Sequence, residues 1–159
     1  MLTLRYVTDA DALAIYRWRR DSEAVRYSEH PPPATFEEHL AWFATAIQNP
    51  YWWIGEDLGA WPRTVGVLRL DRISGETWVS ITVDPLCRRR GYGVALLAKT
   101  VDGFSLTTTS FSKILWPVPT LLARISRWNL PSIRLFEKAG YILQDHQDHD
   151  WSVYRKAHD

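Results

Sequence analysis

The stretch DPLCRRRGYGVALL, residues 84–97, decides how this chain is read. The run before it, TWVSITV (77–83), is rich in β-branched and aromatic residues and predicts a strand. After it, Val94, Leu97, Val101 and Phe104 recur at helical spacing and predict a helix through about Phe104. Between the two lie three consecutive arginines and Gly-Tyr-Gly. A helix N-terminus presents unpaired N–H groups and about half a positive charge. Gly91 and Gly93 remove the Cβ atoms that would keep a ligand away from the backbone. Arg88, Arg89 and Arg90 add planar, multi-donor cations that suit phosphate oxygens. Strand, glycine turn and helix together suit either an anion site, with a diphosphate as a sensible occupant, or a tight turn with a solvated basic patch. Other phosphate loops fit poorly. A dinucleotide fingerprint needs a third glycine where Leu96 stands, and no Gly-Lys-Ser/Thr is present.

Outward from this loop, secondary structure follows from periodicity and punctuation. LTLRYV (2–7) alternates as a strand, and Thr8 with Asp11 opens a helix to about Arg20. DSEAVRYSEHPPPA (21–34) reads as a polar turn region stopped by prolines. Thr35 with Glu38 caps a second helix, on which Leu40, Phe43 and Ile47 share one face. YWWIGE, TVGVLRLDRI and TWVSITV predict an antiparallel meander. On the C-terminal side, SLTTTSFSKILWPVP (105–119) is unassigned and TLLARIS (120–126) is a strand. Asn129 opens a helix with Pro131 in its first turn, and Gly140 suits its end. YILQ and WSVYRK are strands around the polar turn DHQDHD. The order β-α-α-β-β-β-α-β-α-β-β describes an α+β, or mixed α/β, single domain over 1–159 with a central mixed sheet.

Composition excludes several classes. The chain has 159 residues and a net charge of only +1, so a nucleic-acid partner is not expected. No stretch approaches the ~20 apolar residues of a membrane span, so no membrane partner is expected either. A single cysteine, Cys87, rules out an internal disulfide and suits a reducing, cytoplasmic setting. Nine tryptophans point first to packing and second to an aromatic-lined groove. His146 and His149 lack further ligands at useful spacing, so no metal site is assigned.

VDPLCRRRGYGVALL resembles the acetyl-CoA motif of the GNAT N-acetyltransferase superfamily, a strand followed by Arg/Gln-x-x-Gly-x-Gly/Ala and a helix. Arg88, Gly91 and Gly93 hold its defining places. A second segment, RWNLPSIRLFEKAGY (127–141), is similar to the family's Asn-led helix ending in Glu-Lys-x-Gly. The resemblance implies a central mixed, mostly antiparallel sheet flanked by helices, with acetyl-CoA as co-substrate. It implies that the backbone of Arg88, Arg89, Arg90, Gly91, Tyr92, Gly93 and Val94 surrounds the CoA diphosphate. It also implies that the preceding strand splays at a bulge, where Ile81 and Val83 meet the pantetheine arm and an N–H near Ile81 or Thr82 serves the thioester oxygen. Asn129, Ser132 and Phe136 would flank the cofactor. It leaves the assembly open, a homodimer included.

The same resemblance implies direct attack of an amine on the thioester. The tyrosine that often protonates the leaving thiolate is replaced by Phe136. A thiol of pKa ~8.5 needs only about 2 kcal/mol of help at neutral pH, which water, Tyr141 or Tyr92 could give. No glutamate lies within TWVSITV, so Ser80, anchoring a water, and His30 are the candidate bases. A lysine amine costs about 4–5 kcal/mol to neutralise at pH 7, against about 1.4 for an α-amine. A weak base therefore suits an α-amine or an amino sugar. YRWRRDSEAVRYSEHPPPATFEEHLAWFA (16–44) resembles the acceptor side of nucleotide-amino-sugar N-acetyltransferases through Trp18, Arg19, Val25, Arg26, His30, Glu38, His39, Trp42 and Phe43. Within it, His39 reads as a solvated or capping helix histidine. Two rival readings are a catalytically silent acetyl-CoA-binding module and an RNA-phosphate binder.

Overall fold

The structure, a computed structural model, describes residues 1–100 and 120–157. Its centre is a seven-stranded sheet in the order β1-β2-β3-β4-β5-β7-β6. The strands are β1 (Leu2–Tyr6), β2 (Trp52–Asp57), β3 (Arg63–Ile73), β4 (Glu76–Val83), β5 (Thr120–Ser126), β6 (Ile142–His146) and β7 (Trp151–Ala157). Every neighbouring pair is antiparallel except β4 and β5, so the sheet is mixed and mostly antiparallel, as expected. The meander follows from its loops. Ser74 and Gly75, both at positive φ, close β3 onto β4 in a two-residue hairpin.

Helices cover both faces, which is why the consecutive β2 residues from Trp52 to Gly55 are all buried. On one face Trp52, Ile54 and Val67 pack beneath α1 (Ala12–Arg19) and α3 (Phe36–Ala46), against Ile15, Trp18 and Phe43. On the other, Trp53, Leu68, Leu70 and Val79 meet Leu96, Leu97 and Phe136 from α4 (Tyr92–Ala98) and α5 (Leu130–Lys138). Each such aliphatic side chain contributes roughly 1.5–3 kcal/mol by leaving water.

Five departures from expectation have physical causes. The region 21–34 is not all turn. Asp21 accepts a hydrogen bond from the Ala24 amide and starts the short helix α2 (Ser22–Arg26). The first helix begins as a 3-10 turn over Asp9–Asp11, with the Asp11 carboxylate accepting from the Thr8 amide. On α3 the buried stripe is rotated by one residue. Leu40 is 42 % exposed while His39 is 0 % exposed. The imidazole is accommodated because its Nε2 lies 2.8 Å from the Ala12 carbonyl, so an N–H there is satisfied inside the core. α4 ends at Ala98, short of the expected limit, and Val101, Phe104 and the unassigned 105–119 lie outside the described residues. Finally, Tyr141 precedes β6 and sits in the core rather than on a strand.

Candidate active site

The parallel pair β4 and β5 is joined only at Thr77↔Leu121 and Trp78↔Leu122. Beyond those residues the pairing stops, and among the described residues the β4 edge from Val79 to Val83 has no strand partner. Register decides what that edge offers. Antiparallel pairs alternate between those that exchange hydrogen bonds with each other and those that face outward. The Leu70 amide donates to Tyr51 O at 2.9 Å, away from β4, and the Asp84 amide donates to Val65 O at 2.9 Å. These two bonds fix the phase. Ser80 and Thr82 exchange bonds with β3, while the peptide groups of Val79, Ile81 and Val83 face the opening. The N–H expected near Ile81 or Thr82 is thus available at Ile81; that of Thr82 is turned to β3. The expected bulge in β4 is absent, since its register with β3 runs unbroken from Ile73↔Glu76 to Gly66↔Val83. The strands splay because their pairing stops, and the sheet's bulge near this end lies in β3, where Val65 is the extra residue opposite Gly55 and Glu56 of β2.

At the end of the opening sits the arginine–glycine loop. A 3-10 turn, Pro85–Cys87, is capped by Asp84 through the Leu86 amide and buries Cys87. Arg89 (φ 61°) and Gly91 (φ 84°) then take left-handed conformations. Among the described residues no protein group accepts from the amides of Arg88 through Val94. A Cβ on Gly91 would point into open space, so glycine is needed there for its φ. Gly93 has a different reason. A Cβ there would lie 2.2 Å from Leu135 Cδ1, so its smallness lets α4 pack against α5 rather than making room for a ligand.

The three arginines diverge. Arg88 turns away from the loop mouth, with Nη2 2.7 Å from Asp21 and Nη1 2.8 Å from Glu23. Its guanidinium ties the loop to α2 and is not free for phosphate, contrary to the sequence expectation. Arg89 and Arg90 are exposed, and Arg89 lines a shallow cavity of about 390 Å³ with Ser22, Glu23, Arg26 and Tyr27. Tyr92 donates its hydroxyl to Asp57 at 2.5 Å. That bond and the N-terminal amine hold the Asp57 carboxyl down to about 2, and Asp57 pushes the Tyr92 hydroxyl up. Tyr92 therefore fastens α4 to the end of β2.

β5 leads into α5 beside this loop. Asn129 Oδ1 accepts from the Ser132 amide at 3.1 Å, capping the helix, while its Nδ2 has no protein acceptor among the described residues. The remaining candidates separate into two layers. Ser80 is exposed on the α1–α3 face, opposite Arg69 in register. His30 is exposed in the loop after α2, which Glu29 pins to β5 through Arg124. Phe136 and Tyr141, each 3 % exposed, lie in the opposite layer with their rings edge-on at 4.9 Å. Burial raises the Tyr141 hydroxyl above its usual range, and its neighbour Thr100 already donates to Leu97 O at 2.6 Å. Among the described residues no three His, Cys, Asp or Glu side chains gather as metal ligands. His146 instead lies 2.8 Å from the Ser152 hydroxyl across the β6–β7 hairpin.

Sequence reasoning passed over two arginines, Arg69 opposite Ser80 on β3 and Arg124 on β5. Arg69 pairs with Asp71 at 2.8 Å, and Arg124 also lies over the Trp151 ring at 4.9 Å. Their signal was charge inside strands that otherwise read as apolar, in VLRLDRI and LLARIS. A charge retained on a covered sheet face asks for a partner.

A family model described as an acetyltransferase (GNAT) domain matches residues 1–142. No curated protein matches the chain significantly in sequence. Among solved structures, the fold is similar to that of a spermidine N-acetyltransferase from Vibrio cholerae in complex with CoA and spermine, at 17 % identity and a TM-score of 0.77, covering 98 % of this chain and 95 % of that one. A domain from Methanocaldococcus jannaschii aligns at 19 % identity and a TM-score of 0.75, over 99 % and 98 %. An N-acetyltransferase from Staphylococcus aureus aligns at 20 % identity and a TM-score of 0.72, again over 99 % and 98 %. With nearly its whole described fold matched by these proteins and most of its length by the family model, the chain belongs to the GNAT acetyltransferase family.

Proposed function

We propose that this protein transfers the acetyl group of acetyl-CoA to a primary amine, either a nucleotide-linked amino sugar or a protein or peptide N-terminus. The observation that carries this is the pairing of two backbone surfaces that the described residues leave unused, the β4 edge at Ile81 and Val83 and the amides of Arg88–Val94. A diphosphate accepts from the loop amides, and the amide-bearing pantetheine arm pairs with the strand edge as a third strand would. Arg89 and Arg90 stand at the rim, and Asn129 Nδ2 and Ser132 flank the arm.

Acetyl-CoA supplies the acyl group as a thioester. The Ile81 N–H donates to the carbonyl oxygen as negative charge develops there, a role of the oxyanion-hole kind. The amine attacks the carbonyl carbon, the C–S bond breaks, and the amine sheds one proton to solvent through a water held by Ser80 or through His30. Water is the proton source that best suits the departing thiolate. Tyr92 is held by Asp57, and the Tyr141 hydroxyl is buried. With no strong base in place, amines of lowered pKa are the preferred acceptors.

The experiment is a melting scan with acetyl-CoA, followed by detection of free thiol on adding amines. Acetyl-CoA at 100 times its dissociation constant stabilises by about 2.7 kcal/mol. Thiol release with an amino sugar or a peptide amine supports transfer. Stabilisation without release across a broad amine panel would make the chain a silent binding module, and no stabilisation at all would end the reading.

A further inference from the structure

On the sheet face covered by α1 and α3, Arg19 has no counter-charge among the described residues. Arg19, at the end of α1, is half-buried, with its guanidinium 3.9 Å over the Trp42 ring. Its Nη1 lies 3.4 Å from His39 Nδ1. The Nε2 of the same ring meets the Ala12 carbonyl, which fixes the proton there and leaves Nδ1 as an acceptor. Among the described residues no carboxylate lies within ion-pair distance of Arg19. Arg89 and Arg90 are exposed, whereas Arg19 is stacked and partly buried. A second cation is close by. Arg69 stacks over Trp52 at 5.7 Å, and Trp52 packs edge-on against Trp42 at 5.8 Å. Burial and the charge of Arg69 both push the Arg19 guanidinium below its usual range, the mark of a cation short of an anion.

The site is placed for the reaction. Arg69 faces Ser80 across the β3–β4 ladder, and Ile81, whose amide faces the opening, is the next residue. One strand spacing of about 4.8 Å thus separates the backbone of Arg69 from the strand whose free edge carries the Ile81 amide. A charge held on a rigid aromatic platform costs little ordering when an oxyanion arrives, because its conformational freedom is already lost.

We propose that Arg19 is the receptor for an acid group, carboxylate or phosphate, carried by the amine that this enzyme acetylates. Arg69 beside it is already paired with Asp71 and adds only its nearby charge. The proposal rests on the acetyl-transfer reading and narrows its acceptor to amines bearing an oxyanion, away from polyamines. Arg19 forms a forked hydrogen bond to the acid, leaving the amine free to reach the thioester.

The test uses the full chain saturated with CoA, so that the diphosphate loop is occupied, at constant ionic strength. Inorganic phosphate and succinate are titrated separately while tryptophan fluorescence and melting temperature are followed. The expected result is a saturable response in the wild type, lost in Arg19→Gln, weakened less than about tenfold in Arg19→Lys, and unchanged in Arg17→Gln, an exposed arginine on the same helix. No saturable response in the wild type, or an Arg19→Gln response equal to it, would overturn the proposal. In parallel, kcat/KM is compared for leucine against leucinamide, glucosamine 6-phosphate against glucosamine, and spermidine. At least one acid-bearing member should exceed its neutral partner by about tenfold, and Arg19→Gln should remove that ratio through KM while sparing the neutral amine. A preference for the neutral members or for spermidine overturns it. If CoA itself fails to stabilise the protein, the acetyl-transfer reading falls. A CoA response without an acid-group response removes only this inference.

Discussion

Two strands leave the sheet side by side and each feeds a helix, yet the two junctions are built differently. At β5–α5 the helix start is closed. Asn129 accepts from the Ser132 amide and Pro131 has no N–H to satisfy. At β4–α4 the helix start is open. Its N-cap is Gly91 in a left-handed conformation without a capping side chain, and among the described residues seven successive amides from Arg88 to Val94 have no acceptor. Junctions of equal topology need not carry equal polar completion. The open one is useful because a ligand can supply the acceptors that the described residues do not.

The largest effect should come from filling the open junction. Gly91→Val puts a branched side chain into clear space at a φ of +84°. Acetyl-CoA affinity should fall roughly 100-fold, about 2.7 kcal/mol, with a stability loss of about 1–3 kcal/mol from backbone strain. Isothermal titration beside thermal unfolding separates the two; unchanged affinity would show that the loop is not the diphosphate site. Gly93 is a poorer probe, since a side chain there disturbs Leu135 and the α4–α5 packing.

At the closed junction the contrast can be sharpened. Asn129→Ser keeps a good N-cap but deletes the free Nδ2 donor. Stability should stay within about 0.5 kcal/mol, while acetyl-CoA affinity drops about fivefold to tenfold, the worth of one hydrogen bond. Equal affinity in the variant would reduce Asn129 to a helix cap.

The smallest effect concerns the face opposite α4 and α5. Burial lowers the His39 imidazole, as does the nearby charge of Arg19. The fold therefore keeps it neutral, while the unfolded chain takes up a proton as pH falls through about 6.5. Stability present above that pH is lost below it. Melting temperatures between pH 7.5 and 5.0 should fall by a few degrees more in the wild type than in His39→Phe; equal slopes would show that His39 is not the titrating group.

Much of this was legible in the sequence, for reasons that local chemistry supplies. Hairpin loops between β-rich runs gave the meander, and RRRGYG before a helical repeat located the open junction. What escaped depends on distance. Nothing in RRR says that Arg88 will turn to Asp21 and Glu23, residues 67 and 65 positions away. Gly91 and Gly93 look equivalent in a motif, yet one answers to φ and the other to Leu135. His39 looked solvated because the carbonyl that satisfies it belongs to Ala12, on another helix. The hydrogen-bond phase of β4, which separates Ile81 from Thr82, needed the register of the whole ladder.

The most direct measurement is residue-resolved amide exchange with and without acetyl-CoA. The account predicts that the amides of Ile81, Val83 and the Arg88–Val94 loop exchange freely alone and become protected on binding, while those of Ser80 and Thr82, already bonded to β3, change little. Binding that leaves the loop and the β4 edge exchanging as before would contradict it.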